Sequence, residues 1–164
     1  MLFSKYLKPY FFYIFLLFFF FSLSVNFIES LSFLNYFSYV CLHFIIIYLA
    51  LYYYRLSLYL LYFLCGLGCD LLLINNQIGP HLLSFMILLF VFNMLNKYFK
   101  NLNSSKIYLS IIFTLIIIFF FEMLLSDILF NYNFDFRLFF KMIFICLIIS
   151  YPVFIIFNKI DNFK

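Results

Sequence analysis

Ile111-Ile112-Phe113-Thr114-Leu115-Ile116-Ile117-Ile118-Phe119-Phe120-Phe121 is an eleven-residue run interrupted by a single threonine, and it repeats in character at Phe11 to Phe21. A membrane β-barrel strand alternates apolar and polar residues with a period of two, and neither run alternates. At bilayer depth the remaining structure that satisfies its own backbone hydrogen bonds is the α-helix. Composition points the same way: the 164 residues are 69% hydrophobic and 10% charged, with a mean hydropathy of +1.18. A chain this small cannot hide so much apolar surface from water, because a large share of any small domain stays exposed.

A spanning helix needs roughly 20 mostly apolar residues to cross about 30 Å of hydrocarbon. The charged residues divide the chain at suitable intervals, predicting spans over about 9–26, 36–54, 56–74, 80–97, 107–126 and 138–157. The fold class expected is therefore an all-α integral membrane protein: one transmembrane domain over 1–164, a six-helix bundle with no soluble domain. The first span follows Lys5 and Lys8 as a secretory signal would, but no small-residue cleavage site follows Val25, so it is read as an uncleaved anchor.

With the N-terminus inside, Lys5, Lys8, Arg55, Lys97, Lys100, Lys106, Lys159 and Lys164 are cytoplasmic and only Arg137 and Lys141 of the ten basic residues lie outside. This inside bias sets both termini in the cytoplasm, which requires an even number of spans. The formal charge of +4 is mainly a topology signal; no basic cluster is large enough to imply a nucleic-acid partner. Tyr52, Tyr53 and Tyr54 before Arg55 are expected to form an inner aromatic belt with wet hydroxyls. The Lys97–Lys106 loop is the longest polar segment and is read as solvated.

Against this background all three glycines fall in one stretch, Gly66-Leu67-Gly68-Cys69-Asp70-Leu71-Leu72-Leu73-Ile74-Asn75-Asn76-Gln77-Ile78-Gly79, beside Asp70, taken as the one carboxylate at membrane depth. The coding bias implied by so much Phe and Ile starves glycine, so its presence here points to close helix approach or a tight turn. Gly66, Cys69 and Asp70 share a helix face through three- and four-residue spacing. That slim face is expected to hold Asp70 against a neighbour, and Pro80 suits the first turn of the next helix, where its missing N–H costs nothing.

Other polar groups carry weaker signals. His43, His81, Glu122 and Asp127 all fall in the outer half with Asp70, and His43, Glu122 and Asp127 are expected to reach the interface or hydrogen-bond a neighbouring helix. No two candidates have the paired spacing of a metal motif. Asp70 with Asp127 is a formal aspartyl-hydrolase pair, but the chain lacks the Asn-x-x-Asp-Arg element of lipoprotein signal peptidases. Cys41, Cys65, Cys69 and Cys146 lie within spans as small apolar residues. Pro152 is expected to kink or end the last helix, with Ser150 partly satisfying a freed carbonyl, and Asn93 and Asn96 to bond between helices or face the interface.

The pattern Gly66-Leu67-x-x-Asp70-Leu71-Leu72, then Ile78-Gly79 and an apolar helix beginning Pro80-His81-Leu82, resembles the signature of the rod shape-determining MreD family, as do the length, the N-terminal anchor and the motif's place in span three. Where that family would carry a Pro-Asp pair at the start of span two, this chain has Asn35-Tyr36. The resemblance implies a bacterial inner-membrane, non-enzymatic component of the machinery for lateral cell-wall growth, without cofactor. It also implies partners: an MreC-like bitopic protein, a RodA-type polymerase and a class B penicillin-binding protein, guided by MreB filaments. A fold similar to the substrate-binding (S-component) subunits of energy-coupling-factor vitamin transporters is implied too. On this reading Gly66, Leu67, Gly68, Asp70, Leu71, Ile78, Gly79 and Pro80 form a helix-packing or partner motif, with no catalytic, cofactor or metal site. The alternative is a small-molecule-binding membrane subunit using Asp70, His81, Asn75 and Asn76 as an outer pocket.

Overall fold

A computed structural model describes residues 2–26, 32–73, 78–99, 102–131 and 135–162. These form six α-helices: α1 (Leu2–Asn26), α2 (Ser32–Tyr52), α3 (Ser57–Leu73), α4 (Pro80–Phe99), α5 (Ser104–Phe130) and α6 (Phe136–Asn162). There is no strand among the described residues, and each expected span falls on one helix. Three stretches, Phe33–Tyr52, Ser104–Phe130 and Phe136–Asp161, are long and apolar enough to cross a membrane, while Pro9–Ser24, Ser57–Leu72 and Pro80–Leu95 are shorter apolar helices.

The helix ends follow from local chemistry. At the C-terminus of α5, Asn131 adopts the left-handed conformation (φ 55°), and its N–H reaches the Asp127 carbonyl at 2.9 Å. Asparagine tolerates that conformation better than most residues. At the start of α6, Asp135 Oδ1 accepts the Arg137 N–H at 2.9 Å and caps the first turn. Pro152 does not end α6, the second of the two outcomes expected for it: the helix continues to Asn162. Buried Ser150, two residues before Pro152 and within the turn whose hydrogen bond the proline removes, bonds Tyr108 of α5 at 3.2 Å, so α6 is held laterally where the proline weakens it.

α2 is the spine. Every residue from Val40 to Ala50 is buried, and α2 packs against α1, α4, α5 and α6; α3 pairs with α4 and touches α1. The outward faces carry Phe15, Phe113, Phe140 and Phe144, each between 65 and 67% exposed. So much bare aromatic surface suits hydrocarbon and would drive association in water.

Polar side chains gather at opposite ends of α2. At the end where α6 finishes, Asp161 of α6 accepts hydrogen bonds from Tyr48 (2.5 Å), Tyr53 (2.5 Å) and Tyr13 (3.2 Å), joining α6 to α2 and α1. The expected wet belt is corrected at Tyr53. Tyr53 is 7% exposed and spends its hydroxyl on a carboxylate, because the end of α6 folds over it; Tyr54 bonds Tyr59, and only Tyr52 is exposed.

Candidate functional site

The other end of α2 faces the α3–α4 hairpin. Asp70 is completely buried, so it does not snorkel to the surface. The reason is the start of α4. Pro80 occupies the first helical position and has no N–H to satisfy, and Gly79 before it has no side chain to act as a cap. The Asp70 carboxylate supplies the cap from α3. Oδ2 accepts the Gly79 N–H at 2.8 Å and the Leu82 N–H at 3.1 Å; Oδ1 accepts the His81 N–H at 2.9 Å. The Leu83 N–H then makes the first bond of the helix, to the Gly79 carbonyl at 2.9 Å. From Gly79 to Leu83 every backbone donor has a partner, and the negative charge sits at the positive end of the α4 dipole.

Close approach makes this reach feasible. A Cβ on Gly66 would lie 2.7 Å from the Leu82 Cα and 3.1 Å from the His81 carbonyl oxygen, so α3 and α4 touch backbone to backbone there. A Cβ on Gly68 would meet the ring of Phe21 at 2.8 Å, and one on Gly79 the Leu129 Cδ1 at 2.8 Å. The slim face is therefore filled by the chain's own α4 and α1. Of the other motif residues, Pro80 is buried, Leu67 and Leu71 are half-buried, and Ile78 is 52% exposed.

From Asp70 the polar contacts continue inward. Asp70 Oδ1 lies 2.8 Å from His81 Nδ1, and His81 Nε2 lies 2.8 Å from the Tyr39 hydroxyl on α2. Tyr39 donates to Glu122 Oε2 of α5 at 2.6 Å. Glu122 Oε1 lies 3.0 Å from His43 Nε2 and accepts from Ser84 at 2.7 Å, while His43 Nδ1 is 2.9 Å from the Tyr39 carbonyl. Phe85 and Phe119 close on the His43 ring edge-to-face, both at 5.2 Å between centroids. α2, α3, α4 and α5 thus meet through one line of buried groups, in which Glu122 is 4% and His43 0% exposed.

Asp70 is therefore joined by a second deeply buried carboxylate. Glu122 and His43 hydrogen-bond across helices, the second of the two outcomes expected for them, and Asp127 is not among the groups bonded to Asp70. Asn75 and Asn76 lie outside the described residues, as does the Asn96 side chain. Asn93 is exposed. The four cysteines are free and buried. Among the described residues no three His, Cys, Asp or Glu side chains are arranged to hold a metal ion. A groove of about 550 Å³ runs between α4 and α5, lined mainly by apolar groups including Ile87, Val91, Phe113 and Ile117. Tyr39 and Ser84 gave no signal in the sequence; a hydroxyl on an apolar helix is common and reveals its partner only once the helices are packed.

No protein family, no curated protein and no solved structure matches the chain.

Proposed function

We propose that this chain is a six-span scaffold of the MreD kind in a bacterial cytoplasmic membrane, with both termini inside. In this role it catalyses no reaction: it binds an MreC-like bitopic protein and acts with a RodA-type polymerase and a class B penicillin-binding protein in cell-wall elongation. The observation that carries the reading is the motif itself. Gly66, Asp70, Gly79 and Pro80, four of the residues on which the resemblance rests, work here as one unit: the glycine lets α3 reach α4, the carboxylate caps α4, and the Gly-Pro pair leaves that cap to be supplied from outside. The spacing thus has a physical role in this fold, joining α3 to the start of α4.

The other two readings fare less well. A small-molecule subunit would need Asp70 and His81 to face a cavity, yet the Asp70 oxygens already accept three backbone N–H groups and lie against an imidazole, and His81 is 5% exposed. An aspartyl hydrolase would need two carboxyls sharing a proton, and Asp70 is engaged by α4 instead. Six crossings are supported by pairing. α3 and α4 lie against each other and α4 against α2, so the shorter helices cover much of the depth that α2 covers.

Since the slim face is filled from within, a partner span must dock on the outward faces. The test is co-expression of the tagged chain with the MreC-like protein of the same genome, followed by co-purification, and expression in rod-shaped cells depleted of their own MreD. Recovery of the pair and restoration of rod shape are expected. Stable insertion in the membrane with neither outcome would end the proposal.

A further inference from the structure

The line of groups at the hairpin end has a proton count fixed by its geometry. Five contacts need a hydrogen each: His81 Nδ1 with Asp70, His81 Nε2 with Tyr39, Tyr39 with Glu122, Glu122 with His43 Nε2, and His43 Nδ1 with the Tyr39 carbonyl. With both carboxyls ionised and both imidazoles neutral, only three hydrogens are available: one on each ring and one on the Tyr39 hydroxyl. The Tyr39 carbonyl can only accept, so His43 Nδ1 carries a hydrogen, and its Nε2 then has none to give to Glu122. Tyr39 gives its hydrogen to Glu122, so its oxygen must receive one from His81 Nε2, although His81 Nδ1 already gives one to Asp70.

We infer that this cluster is a buried proton-binding site that holds two protons beyond those three, so that two imidazoliums face two carboxylates and the site carries no net charge. The charge pattern supports the count. Glu122 is the meeting point of Tyr39, His43 and Ser84, three potential donors around one carboxylate, and Asp70 lies at a helix N-terminus. Uncompensated charge is costly in so apolar an interior, and two negative and two positive groups compensate each other. The titratable groups around the site are Tyr39 and His43 from α2, Asp70 and the nearby Cys69 from α3, His81 from α4 and Glu122 from α5. The cations among them are therefore the two rings. Removing the two protons would leave both carboxylates unmatched and break the contacts that tie α2 to α4 and α5, so the protons act as bound ligands that hold the helices together.

The inference does not depend on which partners the protein holds. Because the chain has two histidines, ¹⁵N-histidine labelling reports on this cluster alone. In bilayers at pH 7, solid-state NMR of the unsubstituted protein should show both rings protonated at both nitrogens, with His43→Gln used to assign them. One neutral ring together with a protonated-carboxyl infrared band that Glu122→Gln or Asp70→Asn removes would keep the count at two and support the site. A neutral ring with no such band, or two neutral rings and a single carboxyl proton, would overturn it.

Discussion

At the level of single residues, the three glycines differ in what a methyl group would meet, and this separates their roles. At Gly66 the obstacle is the Leu82 backbone, which cannot move without shifting the start of α4 and with it the Asp70 cap. At Gly68 it is the tip of the Phe21 ring, and at Gly79 a methyl of Leu129, itself 46% exposed and able to turn aside. Gly66→Ala should therefore cost about 1–3 kcal/mol, the usual range for overpacking, and Gly68→Ala less; Gly79, at φ 158°, is a separate case, because a side chain there strains the backbone whatever the space. Thermal unfolding of the purified protein in one detergent checks the order; equal midpoints for Gly66→Ala and Gly68→Ala would refute backbone contact at Gly66. The importance of Gly66 and Asp70 was legible in the sequence because glycine is scarce there and a carboxylate among apolar residues is conspicuous. What Asp70 does was not: its acceptors are filled by backbone groups nine to twelve positions onward, and backbone donors leave no mark in a sequence.

Among the elements, α2 has the densest burial, and its two ends do different work. One end gives Tyr39 and His43 to the line running to Asp70; the other gives Tyr48, with Tyr53 just beyond it, to Asp161. That second cluster was not expected from the sequence, since an aspartate between Lys159 and Asn162 reads as a solvated polar end of a helix. Only the folding of α6 over α1 and α2 turns it into an anchor. Asp161→Asn replaces charge-assisted hydrogen bonds from three tyrosines by weaker ones, each such bond contributing about 1.5–3 kcal/mol when the acceptor is charged. The expected result is local. Amide hydrogen exchange should quicken over the last turns of α6 and leave the end of α3 and the start of α4 unchanged, because Gly66, Asp70 and the capped first turn of α4 lie at the opposite end of α2. Faster exchange spread evenly over all six helices would show that Asp161 is not a local anchor.

For the molecule as a whole, the open choice is how many helices cross the bilayer, and the fold itself supplies the position that decides it. Length and apolarity alone qualify α2, α5 and α6; the helical runs 57–72 and 80–95 are shorter, and the 17 residues of α3 extend about 26 Å at 1.5 Å per residue. A shortfall of a few ångströms against about 30 Å of hydrocarbon is accommodated by local thinning at modest cost, and basic residues on the inner connections favour six crossings. If only the three long helices cross, α3 and α4 leave and return on one side, and Ile78 between them shares that side with Leu56. If all six cross, Ile78 lies opposite Leu56, on the side of Asp135. Ile78 and Leu56 are exposed, at 52% and 84%, so both accept a cysteine without loss of packing, as does the exposed Ser105; at the exposed Asp135 a cysteine gives up the cap of α6 but no packing. With the four native cysteines, all buried, changed to serine or alanine, a membrane-impermeant maleimide added to intact spheroplasts should label Ile78→Cys and Asp135→Cys. Leu56→Cys and Ser105→Cys should react only after lysis. Labelling of Ile78→Cys together with Leu56→Cys would leave three crossings and remove the six-span scaffold, whatever partners the protein is found with.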